Sequence, residues 1–189
     1  MEHENLIRLL REAGKLKRTR RTGWVEAGVS GPESVADHSY RVALLSMLLS
    51  DHRGLDTLKA VRMAILHDLA EAVTGDLTPR QKTPEHGAEE LRAFAGLVEG
   101  LPTRQRQTYL EAMEEYVAGE TGEAALVRAA DRLEMVLQAL EYEEFGAGAD
   151  LDPFKCVLVP AEYAGLYRSL LEKKSNNNRV APTRRGTAA

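Results

Sequence analysis

The run SVADHSYRVALLSMLLSD, residues 34–51, decides the fold class. Val42, Leu45 and Leu49 follow His38 at spacings of 4, 7 and 11, so these four residues share one helical face. Ser34-Val35-Ala36-Asp37 has the form of a capping box, in which a side-chain oxygen meets the free amide groups of a helix start. Apolar residues also occupy most other sides of the run, which predicts a central helix.

The same periodicity extends outward in both directions. Glu4 to Lys17 predicts a helix with Leu6, Leu9, Leu10, Ala13 and Leu16 on one face. Arg18 to about Pro32 contains Gly23, Gly28 and Gly31 and predicts an irregular segment. Asp56 is placed to cap a helix running to Ala72, with Val61, Ile65 and Leu69 pointing inward. Gly75, Pro79 and Pro84 mark a loop. Helices are expected over Pro84–Val98, Pro102–Ala118 and Gly122–Glu144, the last stopped by Gly146-Ala147-Gly148, and over Ala161–Lys174. Alternating β-branched runs are few. The expectation is one all-α domain over residues 1–174, a bundle of six or seven helices. A polar stretch, residues 175–189 (SNNNRVAPTRRGTAA), is expected to be a disordered tail, because it has too little apolar surface to offset the entropy of ordering.

Composition narrows the function classes. A chain of 189 residues with 43% hydrophobic and 29% charged residues is long enough to bury a core without a disulfide or structural metal. A metal in such a chain is therefore functional. The formal net charge of −4 supplies no general attraction to nucleic acid polymers or anionic membranes, so a phosphate-bearing substrate has to be captured by local cations. The one cysteine, Cys156, can form neither an internal disulfide nor a thiolate cluster. Met1 to Lys17 is charged throughout and lacks a signal-peptide core, and no apolar run approaches the roughly 20 residues of a membrane span. A cytoplasmic location is the default expectation.

Four residues have side chains suited to a divalent cation: His38, the pair His67-Asp68, and Asp131, which sits four residues after Val127 and four before Met135. Each lies on an otherwise apolar expected helix, where an unpaired polar group is costly. Taken alone, each has an ordinary reading. A single histidine on an apolar face is usually a hydrogen-bonded core residue, and Asp131 could pair with Arg128 or Arg132 on the surface.

The combination resembles a known family. Pro32-Glu33-Ser34-Val35-Ala36-Asp37-His38, His67-Asp68-Leu69-Ala70-Glu71, Gly75-Asp76-Leu77-Thr78-Pro79 and Ala130-Asp131-Arg132-Leu133-Glu134-Met135 are similar to the metal motif of the HD-domain superfamily. Arg21-Thr22-Gly23-Trp24-Val25 and Gln138-Ala139-Leu140-Glu141-Tyr142 resemble its 5′-deoxynucleotidase branch. The likeness runs from about Leu6 to Leu171. It implies one divalent metal, manganese, cobalt, iron, zinc or magnesium, held by His38, His67, Asp68 and Asp131. The other histidines, His3, His52 and His86, stand at no obvious ligand spacing for a second ion. The implied activity is metal-dependent hydrolysis of the 5′-phosphate of deoxynucleoside monophosphates, a small-molecule substrate; the resemblance implies a homodimer, while the helical apolar content also permits a monomer.

Glu71 follows His67 by four residues and Asp68 by three, on the same side of an expected helix, and the resemblance places a catalytic acid there. Asp76, after Gly75, is by resemblance catalytic or substrate-contacting; read from its loop position alone, it caps a turn. Lys15 to Arg18 suit a helix C-terminus, whereas Arg21 lies beyond it and is the candidate for gripping phosphate through its planar guanidinium. Lys82 is a second candidate. Trp24, the only tryptophan, either packs against the nucleoside or anchors its loop. Leu44, Met47, Leu48, Leu133, Val136 and Leu137 read as core or subunit interface. The metal residues alone leave open an HD phosphohydrolase acting on a triphosphate, a guanosine polyphosphate or a cyclic phosphodiester. A non-catalytic nucleotide-binding module is the reading from outside enzymology.

Overall fold

The computed structural model describes residues 2–177. Its α-helices are α1 His3–Ala13, α2 Thr22–Glu26, α3 Val35–Arg53, α4 Thr57–Leu66, α5 Glu71–Thr74, α6 His86–Val98, α7 Thr103–Ala118, α8 Gly122–Glu144, α9 Asp152–Lys155 and α10 Ala164–Asn177. Strand pairing among the described residues is limited to an isolated antiparallel bridge between Arg20 and Ser34. The all-α class is as expected, but the helices outnumber the six or seven foreseen. The surplus is α2, α5 and α9, each of four or five residues and so too short to show a 3.6-residue repeat. Helix α10 runs on through Ser175, Asn176 and Asn177. The rest of the expected tail, residues 178–189, lies outside the described residues.

Helix α3 starts at the capping box foreseen for it: the Ser34 side chain accepts from the Asp37 amide while Asp37 accepts from the Ser34 amide. Such caps stabilise a helix by about 1 kcal/mol. Helices α3, α4 and α8 pack together around Val42, Met63, Leu126, Val127 and Leu133, and α7 and α10 close this core. A second cluster, with Val35, Leu66, Leu69, Phe94 and Met113, joins α6 and α7 to the start of α3. A third holds Trp24 and Val29 against Ala139 of α8 and Leu151.

Two expectations need correction. The helix foreseen from Asp56 to Ala72 is capped by Asp56 but stops at Leu66, and the chain makes tight turns over residues 67–70 before α5. On an unbroken helix, consecutive side chains diverge by about 100°; the break frees His67 and Asp68 to face one point. Of its foreseen inward residues, Leu69 is buried and Val61 half-buried, but Ile65 is not. Ala60, Met63 and Ala64 are buried and Ile65 is 59% exposed, because small residues let α4 approach its neighbours closely. Of the leucine- and methionine-rich stripe, Leu133 and Val136 are core, Leu137 is half-buried, and Leu44, Met47 and Leu48 are exposed.

Candidate metal centre and adjoining cavity

The fold brings His38 of α3 and His67 and Asp68 from the α4–α5 break to one point, with Asp131 of α8 against His38. His67 Nε2 is 3.1 Å from Asp68 Oδ2. His38 Nε2 is 3.7 Å from the same oxygen and 3.1 Å from Asp131 Oδ1. Donors that each stand about 2.1 Å from a common cation lie roughly 3 to 3.5 Å from their neighbours, so the spacings among His38, His67 and Asp68 suit one ion. The donor atoms of His38, His67 and Asp68 fall within 4.8 Å of one another.

Tautomers point the same way. His67 Nδ1 is 2.8 Å from the Ala64 carbonyl and must donate to it, leaving a lone pair on Nε2. His38 Nδ1 faces Glu134 Oε2, which does the same for that ring. Both Nε2 atoms and Asp68 Oδ2 are buried without a hydrogen bond of acceptable geometry among the described residues. Buried polar atoms are rarely left this way, and a cation would satisfy all three at once. The donor set of imidazole and carboxylate fits a borderline or hard divalent ion.

The electrostatics show why such a centre needs positive charge. Burial resists ionisation of Asp68, but His67, Arg21 and His38 outweigh it and hold its carboxyl well below the usual range. Asp131 is likewise held low, against its burial, chiefly by His38. Burial and Arg21 oppose a charge on His38, yet Asp131 and Glu134 push its pKa up to about 10. Glu71 is buried beside these groups with Oε2 unpaired among the described residues, and burial, then Asp68 and Asp76, push it up to about 10.

Arg21 sits inside the site. Its Nη1 donates to Asp76 Oδ1 at 2.9 Å and lies 3.6 Å from Asp68 Oδ2. Gly75, at φ 80°, bends the chain so that Asp76 turns inward, where the Thr22 amide donates to its second oxygen and Thr22 Oγ1 to its carbonyl at 2.7 Å. Lys82 stands farther out and pairs with Glu90 Oε1 at 3.0 Å, its charge still reaching Glu71 and Asp68.

Arg21 and Asp76 also border a cavity of about 450 Å³, within the usual range for a small-molecule site. Its walls include Trp24, Leu77, Pro79, Met135 and Phe154. Trp24 is 2% exposed, lies 4.2 Å from the Phe154 ring centre and donates from Nε1 to Glu33 Oε1 at 2.9 Å. It anchors its segment and also lines the cavity.

Several participants escaped the sequence reading. Glu134 and Arg41 back His38, Glu33 holds Trp24, and the Tyr116 ring lies edge-on to His67 at 5.7 Å. Glu134 alone had a usable signal, standing one turn after Asp131 on the same helix. Phe154 is carried by the unforeseen α9.

A family model described as an HD domain matches residues 13–157. The human protein named 5′-deoxynucleotidase HDDC2 is 42% identical over 143 residues, covering 74% of this chain and 69% of its own. A Schizosaccharomyces pombe protein named 5′-deoxynucleotidase hdd1 is 35% identical over 147 residues, covering 74% of each chain. Among solved structures, a conserved hypothetical protein from Pyrococcus furiosus superposes with a TM-score of 0.72 at 41% identity, over 90% of this chain and 99% of that one. A protein titled "Predicted metal-dependent phosphohydrolase" from Magnetospirillum magnetotacticum gives 0.70 at 25% identity, over 95% of each.

Proposed function

The chain belongs to the HD-domain family, and from that membership we propose that it hydrolyses the 5′-phosphate of deoxynucleoside monophosphates, releasing deoxynucleoside and inorganic phosphate. The observation that carries this reading is the joining of two features at Arg21 and Asp76. On one side is a set of buried donor atoms without hydrogen-bond partners among the described residues; on the other is a largely apolar cavity the size of a mononucleotide. The names of relatives at 33–42% identity support the same substrate class.

His38, His67, Asp68 and Asp131 hold one divalent cation from the group manganese, cobalt, iron, zinc and magnesium. When bound, such an ion supplies Lewis acidity to phosphoryl oxygens and lowers the pKa of water. The residues of the chain do the rest. Arg21 faces the non-bridging oxygens of the phosphate and offsets their charge. Asp76 and the Thr22 amide fix the guanidinium in that position. Glu71, buried with one oxygen unpaired among the described residues, orients the attacking water. The water oxygen bonds to phosphorus as the bond to the 5′-oxygen breaks on the opposite side; one proton of the water stays on the phosphate and the other reaches the leaving oxygen by way of solvent. Trp24 and Phe154 enclose the nucleoside, and Lys82 adds positive charge at the rim.

A cytoplasmic setting accompanies this substrate, an intracellular metabolite. Among the described residues no helix is long and apolar enough to cross a membrane. A homodimer is part of the proposal: Tyr40, Leu44, Met47 and Leu48 make an exposed apolar stripe along α3, supporting a second copy as its cover. Sedimentation of the chain and of a Leu44→Glu/Leu48→Glu variant tests this, a monomeric wild type refuting it.

The decisive assay measures phosphate release from each deoxy- and ribonucleoside 5′-monophosphate, after chelation and after adding back each metal. Turnover should need the metal and favour the deoxy series. Release only from triphosphates or cyclic diesters would refute the substrate assignment.

A further inference from the structure

Glu134 is a deeply buried acid that the proposed chemistry leaves unused. It is 1% exposed, on α8 one turn after Asp131. Its Oε2 faces His38 Nδ1, while Oε1 accepts a hydrogen bond from Arg41 Nε at 2.8 Å and stands 2.7 Å from Nη2 of the same guanidinium. Arg41, on α3 one turn after His38, spends its other donors on α8 as well. It reaches Gln138 Oε1 at 2.6 Å and Glu141 Oε2 at 2.7 Å. Glu134, Gln138 and Glu141 follow one another at helical spacings of four and three, so one guanidinium spans two turns of the facing helix.

A charged carboxylate so deep is costly, and an apolar pair of similar volume would join the two helices without that cost. An apolar pair could not hold a hydrogen on His38 Nδ1. His67 receives the same service from a backbone carbonyl, which cannot be misplaced by side-chain rotation. A glutamate can rotate, and Arg41 is what stops it.

We propose that Arg41 and Glu134 form a positioning pair for the metal centre: Glu134 keeps the His38 hydrogen on Nδ1 and so presents the Nε2 lone pair to the cation, and Arg41 fixes Glu134. The inference rests on the reading of His38 as a ligand. Neither residue touches substrate, so the effect should appear in metal affinity before it appears in turnover.

The test is zinc binding to the chelated full-length chain, in competition with a chromophoric chelator. Glu134→Gln and Arg41→Met should each weaken zinc binding about 10- to 100-fold, the range seen when the outer partners of ligating histidines are removed. Because Arg41 acts through Glu134, the double variant should bind no more weakly than the weaker single variant. Circular dichroism checks that each variant is folded; if Arg41→Met is not, Arg41→Lys, which keeps the charge and loses the fork, should still show weakened binding. Affinities within about threefold of wild type in folded variants would overturn the pairing. So would losses that multiply in the double variant. A wild-type chain that binds no divalent ion would instead bring down the metal centre itself, and this inference with it.

Discussion

Glu33 offers a quantitative test of the electrostatics around the site, because one atom can be exchanged without disturbing its contacts. Its carboxylate accepts from Trp24 Nε1, and its backbone amide donates to the Tyr142 hydroxyl at 2.7 Å. Burial, followed by the neighbouring Glu134 charge, pushes its pKa from 4.5 up to about 7, against the pull of Trp24, His38 and Arg21. The unfolded chain releases this proton near 4.5 and the folded chain keeps it to about 7, so the native state binds more protons between those values. Stability therefore falls as pH rises through that window, and the loss is complete above it. At 1.36 kcal/mol per pH unit the full effect is about 3 kcal/mol. Sharing of the repulsion with Glu134 leaves about 1–3 kcal/mol to be recovered at this position. Glu33→Gln retains an oxygen for the indole and carries no charge. At pH 8 its melting temperature should exceed wild type by roughly 2 to 10 °C, and at pH 4.5 the two should coincide. Calorimetry of chelated protein at both pH values is the measurement. A variant no more stable than wild type at pH 8, or equally stabilised at both, would refute the charge assignment.

Asp68→Asn should lose metal occupancy and almost all turnover while the fold survives, since Arg21 keeps Asp76 as a partner; elemental analysis showing wild-type metal content would remove Asp68 from the ligand set. Glu71→Gln should keep its metal and lose turnover, and a fall in metal content as deep as that of Asp68→Asn would show that Glu71 is a ligand. Trp24→Ala should cost about 3–5 kcal/mol of stability, given its burial against Phe154 and Tyr142, so Trp24→Phe is the cleaner probe. If the ring contacts the sugar, Trp24→Phe should narrow the gap between deoxy- and ribo-monophosphates by raising activity on the ribo form; equal losses on both would leave Trp24 an anchor only.

The sequence made the long helices legible because each exposes a repeating apolar face to the period of 3.6. Helix α8, for example, has the bounds foreseen, Gly122–Glu144, set by glycines and a capping Thr121. The same rule misled at α4, where large aliphatic residues drew attention to Ile65 while the buried face is built from Ala60 and Ala64. His38, His67, Asp68 and Asp131 stood out because metal-binding side chains are conspicuous on apolar helices. Arg41 and Glu33 did not, because a charge looks the same in sequence whether it faces solvent or a buried partner across the bundle. Phe154 was hidden for another reason. It sits on a four-residue helix that carries no period, and only tertiary structure brings it to Trp24.

Gly23 lies where that ring passes. A Cβ built on Gly23 would stand 2.9 Å from Phe154 Cε1, closer than unbonded carbons pack, and the ring is pinned behind by Trp24. The backbone at Gly23 is ordinary helix, so the prohibition is one of volume alone. Positions 23 and 154 are thus a single locus for natural variation. A homologue with alanine at the first should carry a smaller side chain at the second, and its cavity should have a differently shaped wall. A larger residue at 23 should be rare among functional relatives that keep phenylalanine at 154, while paired changes are the open route by which this cavity could drift toward other nucleosides.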